Sequence, residues 1–271
     1  MKIYIMTDME GVCGVINHDD WVMPTGMYYE EGKKLLTMEI NAAVEGFYAA
    51  GATEIYVADG HGAGGINQSM LDRRTMYVRG FPGPWPFNLK KNFDAVAWVG
   101  QHAKAGTEYA HIAHTGWFNV LDYRINGISV GEFGQFAMHA AYVGVRSIFA
   151  SGDEAFSLEA ANLIKGIETV AVKRGLTPGS GNDYDTEGYR NRNLAAVHYH
   201  PEKARELIRT GAERALRRFI KDEESFQLLE LKPPFRREIE YRPNGNTSAY
   251  KTYTEHDSDF IEMMKAKEVK L

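Results

Sequence analysis

Residues 1–14 read MKIYIMTDMEGVCG. Lys2–Thr7 is an apolar run of strand length, rich in Ile and Tyr, and it stops abruptly on Asp8, Glu10 and Gly11. Side chains two apart in an extended chain point to the same side, so both carboxylates aim at one place. Two unpaired carboxylates about 5 Å apart repel by roughly 3 kcal/mol at an effective dielectric near 20. Such a strand end needs a cation, a proton or a positive side chain beside it. No Lys or Arg follows closely in the sequence, which leaves a divalent metal or a distant arginine folding in.

Outward from this stretch, strand and helix patterns alternate. Residues 30–50 place Leu35, Leu36, Met38, Ala43, Val44 and Phe47 near helical spacing, and Gly51 stops the helix in the position glycine favours. Residues 54–58 (EIYVA) read as a second strand, 75–79 as a short third and 94–99 (DAVAWV) as a fourth. GFPGPWPF, residues 80–87, reads as proline-rich loop, its Phe81, Trp85 and Phe87 reserved for core or interface packing. A long polar loop runs from Gly100 to about Trp117. YRINGISV places strand residues either side of Asn126-Gly127, a hairpin signal. A helix (131–142), a strand (146–150), a helix (153–165) and a strand (169–173) follow.

This alternation predicts an α/β fold, a mostly parallel sheet with helices on both faces. After Arg174 the pattern weakens into a Gly/Asn/Asp-rich loop. Pro201–Lys221 is a helix with Ala204, Leu207, Ile208, Ala212, Ala215, Leu216 and Phe219 on one side. Beyond Pro233-Pro234 the chain is polar and shows no obvious closing element. The division expected is a metal-binding α/β catalytic domain, 1–175, and a smaller helix-containing α+β region, 176–271, serving oligomerisation or pocket formation.

With 271 residues the chain can bury a large core. A net charge of −5, from 36 acidic and 31 basic residues, gives no general reason to bind nucleic acid or an anionic membrane. The single cysteine, Cys13, excludes a fold built on intramolecular disulfides. Without a signal-peptide pattern or a span-length apolar run, the expected location is cytoplasmic.

Three of the strands end alike. The first ends on Asp8 and Glu10, the second runs into Asp59-Gly60-His61-Gly62, and the fourth runs into Gln101-His102. Parallel strands put those ends on one edge of the sheet, where ligands of open α/β folds bind. Each residue also has a structural reading. Asp59 before glycine is what a turn uses, or it orients a ligand histidine; His61 fits a solvated loop. Glu132 fits a helix first turn, and Cys13 fits a small buried side chain. His198 and His200 read as surface groups.

DMEG (8–11), DGHG (59–62), GQHAKAG (100–106), AHTG (113–116) and VGEFG (130–134), in this order, resemble the binuclear-zinc D-aminopeptidase family of bacterial metallopeptidases; VAVKRG (170–175) also fits it. The resemblance implies metal ligands at Asp8, Glu10, His61, His102 and Glu132. It implies a catalytic histidine at His114, with His111 as a rival. It implies two Zn²⁺ per subunit, a short-peptide substrate, D-amino-acid peptides among them, and ring-like homo-oligomers, a decamer being one candidate size.

The charges agree with this ligand set. Three carboxylates, Asp8, Glu10 and Glu132, face two divalent ions, and a bridging hydroxide balances the remaining charge as the nucleophile. Mixed oxygen and imidazole donors suit Zn²⁺, with Mn²⁺ or Co²⁺ compatible by ligand type. Asp8, nearest the strand end, is the expected bridge. The reading is therefore a zinc aminopeptidase. Its rivals are a two-metal phosphoesterase, for which Lys104 and Lys33 are the only nearby cationic clamps, and a non-catalytic metal-binding assembly protein.

Overall fold

A computed structural model describes residues 1–81 and 89–271. In chain order the elements are β1 (Lys2–Thr7), α1 (His18–Trp21), α2 (Tyr29–Ala49), β2 (Glu54–Asp59), β3 (Met76–Val78), β4 (Ala95–Gln101), β5 (Val120–Ile125) and β6 (Ile128–Ser129). They continue with α3 (Glu132–Tyr142), β7 (Arg146–Asp153), α4 (Glu154–Leu163), β8 (Glu168–Gly175), α5 (Thr186–Arg190) and β9 (Ala196–His198). The chain closes with α6 (Pro201–Lys221), β10 (Phe235–Tyr241), β11 (Tyr250–His256), α7 (Phe260–Lys265) and β12 (Val269–Lys270). Trp85 and Phe87 lie outside the described residues; Phe81 is half-buried against the core.

Among the described residues, the first sheet has the strand order β3-β2-β1-β4-β7-β8-β9. All its pairings are parallel except β8 with β9. Alternation along β1 covers both faces. Ile3 and Ile5 join the core under α2 and α6, while Tyr4 and Met6 join the core under α3 and α4. Burying one such aliphatic side chain stabilises the fold by roughly 1.5–3 kcal/mol. α6 lies so close to α2 that a Cβ at Gly46 would stand 2.2 Å from the Arg209 carbonyl oxygen. Strand order reverses at β1, whose neighbours are β2 and β4. That reversal opens a crevice at the carboxyl ends of these strands.

The second sheet, order β12-β11-β10-β5-β6, is antiparallel throughout. The expectation of no closing element after residue 233 is corrected here: β10, β11, α7 and β12 build most of this sheet and its cover. β10 alternates, with Phe235, Arg237 and Ile239 buried and Arg236, Glu238 and Glu240 less so. One apolar face with charged residues between is a poor signal in sequence. The two sheets do not part at a single chain position. β5 and β6 come from the middle of the chain, while β9 and α6 return to the first sheet. Among the described residues no helix is long and apolar enough to cross a membrane.

Candidate metal centre

The crevice is built by close backbone approach. Past β1, the amides of Asp8 and Gly11 still donate to the carbonyls of Val99 (3.0 Å) and Gly100 (2.8 Å) at the end of β4. A Cβ at Gly11 would lie 1.9 Å from the Gln101 carbonyl oxygen, and one at Gly100, where φ is +81°, would lie 2.1 Å from that of Asp8. Glycine at both positions lets the two strand ends touch. Asp8, Glu10 and His102 are thereby delivered side by side and buried.

The end of β2 brings His61. Asp59 organises its loop, accepting from the amides of Gly65 (2.9 Å) and Ile66 (3.4 Å) and from the Tyr77 hydroxyl (3.0 Å). Arg79 donates to the carbonyls of Asp59, His61 and Gly62 from outside. Glu132 opens α3, and its Oε1 accepts from Gly116 in the loop that carries His114 (2.7 Å).

These side chains form two groups, Asp8, Glu10 and His61 in one and His102, His114 and Glu132 in the other, each with its ligand-capable atoms within 4.8 Å of one another. Asp8 joins them. Its Oδ1 lies 3.1 Å from His61 Nδ1 and its Oδ2 lies 3.3 Å from His102 Nε2. Glu10 Oε2 is 3.5 Å from His61 Nδ1, and Glu132 Oε1 is 3.8 Å from His102 Nε2.

Backbone carbonyls fix the tautomers. His61 donates from Nε2 to Val22 (3.2 Å), His102 from Nδ1 to Ala103 (2.9 Å) and His114 from Nδ1 to Ile112 (2.9 Å). The other nitrogen of His61 and of His102 then faces carboxylate oxygens. His102 Nε2 is fully buried with no hydrogen-bond partner. A lone pair set against carboxylates is repulsive unless a proton or a metal ion lies between. The donor set therefore fits two divalent cations, three carboxylates and imidazoles with one nitrogen each to give.

In the metal-free chain protons take that place. Burial opposes charge on His61, yet Glu10 and Asp8 hold it well above the ordinary histidine range. Burial likewise opposes charge on His102, but Asp8, Glu132 and Glu10 push it up to about 10. Burial works against the Glu10 carboxylate too; His61, His102 and His114 outweigh it and keep Glu10 well below the usual range. Glu132, buried and close to Asp8, is raised to about 7. His114, buried and stacked 4.1 Å from His102, is lowered to about 3 and stays neutral.

The rival His111 is elsewhere. It is buried beside His198 (ring centroids 5.4 Å apart), and burial with the neighbouring charge of β8 Lys173 disfavours its protonated form. His198 is corrected from the surface: it is half-buried, and its Nδ1 accepts from the Gly14 amide at 3.0 Å. His200 is exposed and caps α6. Cys13 is buried, donates to the Tyr199 carbonyl at 2.9 Å, and its thiol is pushed up to about 12 by burial and Glu39. Lys173, which the sequence placed in a strand without assigning it a role, supports the Glu10 loop by donating to the carbonyls of Glu10 (2.5 Å) and Val15 (3.2 Å).

Asp8, Glu10, His61, His114 and Glu132 line a cavity of about 950 Å³. Its other walls are His18, Trp117, Gln135 and, from the second sheet, Val120, Tyr123, Ile239 and Tyr241. His18 is buried against Trp117 and Phe118, 5.1 Å from each. In sequence it is one histidine after a helix-capping Asn17, and no local pattern marks it. Among the described residues of this lining, Arg79 carries the only ammonium or guanidinium group, and the loop carbonyls occupy it.

A model of the D-aminopeptidase family matches residues 1–258. The D-aminopeptidase of Bacillus subtilis (strain 168) is 32% identical over 180 residues, which cover 64% of this chain and 64% of that protein. The match thus spans less than two thirds of that relative's length. A solved structure described as the Zn-dependent D-aminopeptidase DppA from Bacillus subtilis, a self-compartmentalizing protease, has a TM-score of 0.81 at 23% identity, over 98% of this chain and 93% of that one. That likeness establishes the shared fold.

Proposed function

From the premise that this chain belongs to the D-aminopeptidase family, we propose that it is a zinc-dependent aminopeptidase acting on short peptides with an N-terminal D-residue. The observation that carries this is Asp8, which offers one oxygen to each of two ligand groups on the wall of a cavity large enough for a short peptide. Glu10 and His61 would complete the site of one ion, and His102 and Glu132 that of the other. Bound zinc would supply Lewis acidity for the scissile carbonyl and an ionisable water near neutral pH. Mn²⁺ or Co²⁺ suits the same donors.

The chain's own part is positioning and proton handling. In the metal-free chain burial and the charged His102 hold His114 at about 3. As a metal ligand His102 would be neutral and that repulsion relieved; His114, its proton on Nδ1, would then take a proton from the attacking water at Nε2 and return it to the leaving amine. His18 and Trp117 wall the cavity beside it, and Ile239 and Tyr241 face them. The phosphoesterase alternative lacks support: Lys33 pairs with Glu30, and Lys104 turns to Ser129 and away from this cavity. An open cavity beside an uncommitted His114 also speaks against a purely metal-storing role. The relative described as self-compartmentalizing supports a homo-oligomer here, with a decamer as the size to test by light scattering.

The deciding experiment measures metal content and turnover together, on peptide substrates of both hands and on a phosphate ester. Two ions per chain with cleavage of N-terminal D-residues is the expected result. Full peptidase activity without bound metal, or ester cleavage alone, would overturn the proposal.

A further inference from the structure

Two ligands, His102 and Glu132, sit on segments unrelated in sequence, and their separation defines one half of the centre. The segments meet at Lys104 and Gly131. Lys104 lies two residues past His102, and Gly131 immediately precedes Glu132. A Cβ at Gly131 would lie 2.9 Å from Lys104 Cβ and 3.0 Å from Glu159 Oε1, so glycine is needed for this approach. Glu159 comes from α4, behind both segments. Its Oε2 accepts from the Lys104 amide at 2.8 Å, and its Oε1 packs against Gly131. One side chain thus holds the backbone beside His102 by a hydrogen bond and rests against the backbone beside Glu132. Lys104 adds a second tie, donating to Ser129 Oγ at 2.5 Å, two residues before Gly131.

We propose that Glu159 is a positioning residue that sets the His102–Glu132 spacing and thereby the affinity of the ion held by that half of the centre. It touches neither substrate nor metal. The ion between Asp8, Glu10 and His61 does not depend on it, because that half is braced separately, by Lys173 on the Glu10 carbonyl and by Val22 on His61. The inference rests on the two-metal reading above. It extends that reading by making the two ions separable through a residue outside the ligand set.

The test titrates metal-free protein with Co²⁺, follows visible absorption and counts ions per chain by native mass spectrometry. Glu159→Gln keeps shape but replaces the charged acceptor, turning an amide NH₂ toward either the Lys104 amide or Gly131. The weaker ion is expected to lose about 10–100-fold in affinity, the scale on which supporting contacts act at metal sites, while the tighter ion is unchanged. Gly131→Ala attacks the same contact from the other segment and should give the same selective loss. Glu159→Asp, with shorter reach, should fall between. Phe156→Leu, a core change on the same helix, is the control: it should lower the melting temperature without separating the two ions.

Equal loss of both ions in Glu159→Gln, or loss of neither, overturns the role given to Glu159. If Glu159→Gln fails to fold, normal loading of both ions in Gly131→Ala and Glu159→Asp overturns it equally. A wild-type chain that takes up fewer than two ions would instead sink the two-metal reading itself.

Discussion

The two sheets make opposite use of their strands. The parallel sheet hides its strands on both faces and spends its polarity at their carboxyl ends, where Asp8, Glu10, His61 and His102 collect. The antiparallel sheet hides one face only and lends side chains from along its strands, Tyr123, Ile239 and Tyr241, to the cavity wall. The contrast teaches that one sheet gathers the candidate ligands and the other shapes the space around them. Changes at the first should abolish metal binding or turnover; changes at the second should alter which peptides are accepted.

The harshest test of this division is Asp8→Ala. Each half of the centre loses a ligand, so both ions should be lost. Turnover should fall on the order of 10⁴-fold or more, as when a member of a catalytic unit is removed. Metal analysis beside a peptidase assay reads both, and an Asp8→Ala chain that still holds two ions breaks the division. His114→Ala comes next. It should keep both ions and lose about 10²–10⁴-fold in kcat. Unchanged turnover would remove His114 from the mechanism.

A third test is pH. In the metal-free chain His102 titrates at about 10 and His61 well above the ordinary range, so both carry protons at neutral pH. A metal must displace those protons. Apparent affinity should therefore rise with pH, by about tenfold per unit for each proton released, through neutrality and up toward pH 10. Below 7 a proton on Glu132, which titrates at about 7, adds to the loss. Calorimetric titrations in buffers of different ionisation heat count the protons; an affinity flat between pH 6 and 8 would contradict the arrangement. The mildest change is on the other sheet. Tyr241→Ala or Ile239→Ala should raise KM by about tenfold or less, with kcat and both ions retained. A drop in metal content there would show that the sheets do not divide the work.

The same contrast explains what the sequence made legible. β1, β2 and β4 are continuous apolar runs broken by acids, histidines and glycines, and each signal lies within a few residues. The structure brings together the five residues expected to ligate and His114. β10 and β11 carry alternation diluted by Arg, Glu and Lys, so half of each reads as surface. His18, Lys173 and Glu159 escaped for another reason. Their roles come from what they touch across the fold, the Trp117 wall, the Glu10 carbonyl and the Lys104 amide, and no spacing along the chain encodes such contacts.

One consequence follows from where the cavity wall originates. The groups proposed to hold metal and move protons all precede residue 133, whereas Ile239 and Tyr241 come from the much later strand β10. Until β10 is made and docked, the cleft lacks that wall, even where the supports of the centre, Glu159 and Lys173, are already in place. Competence to select a peptide is thereby deferred until β10 has been synthesised, a delay written into the order of the strands.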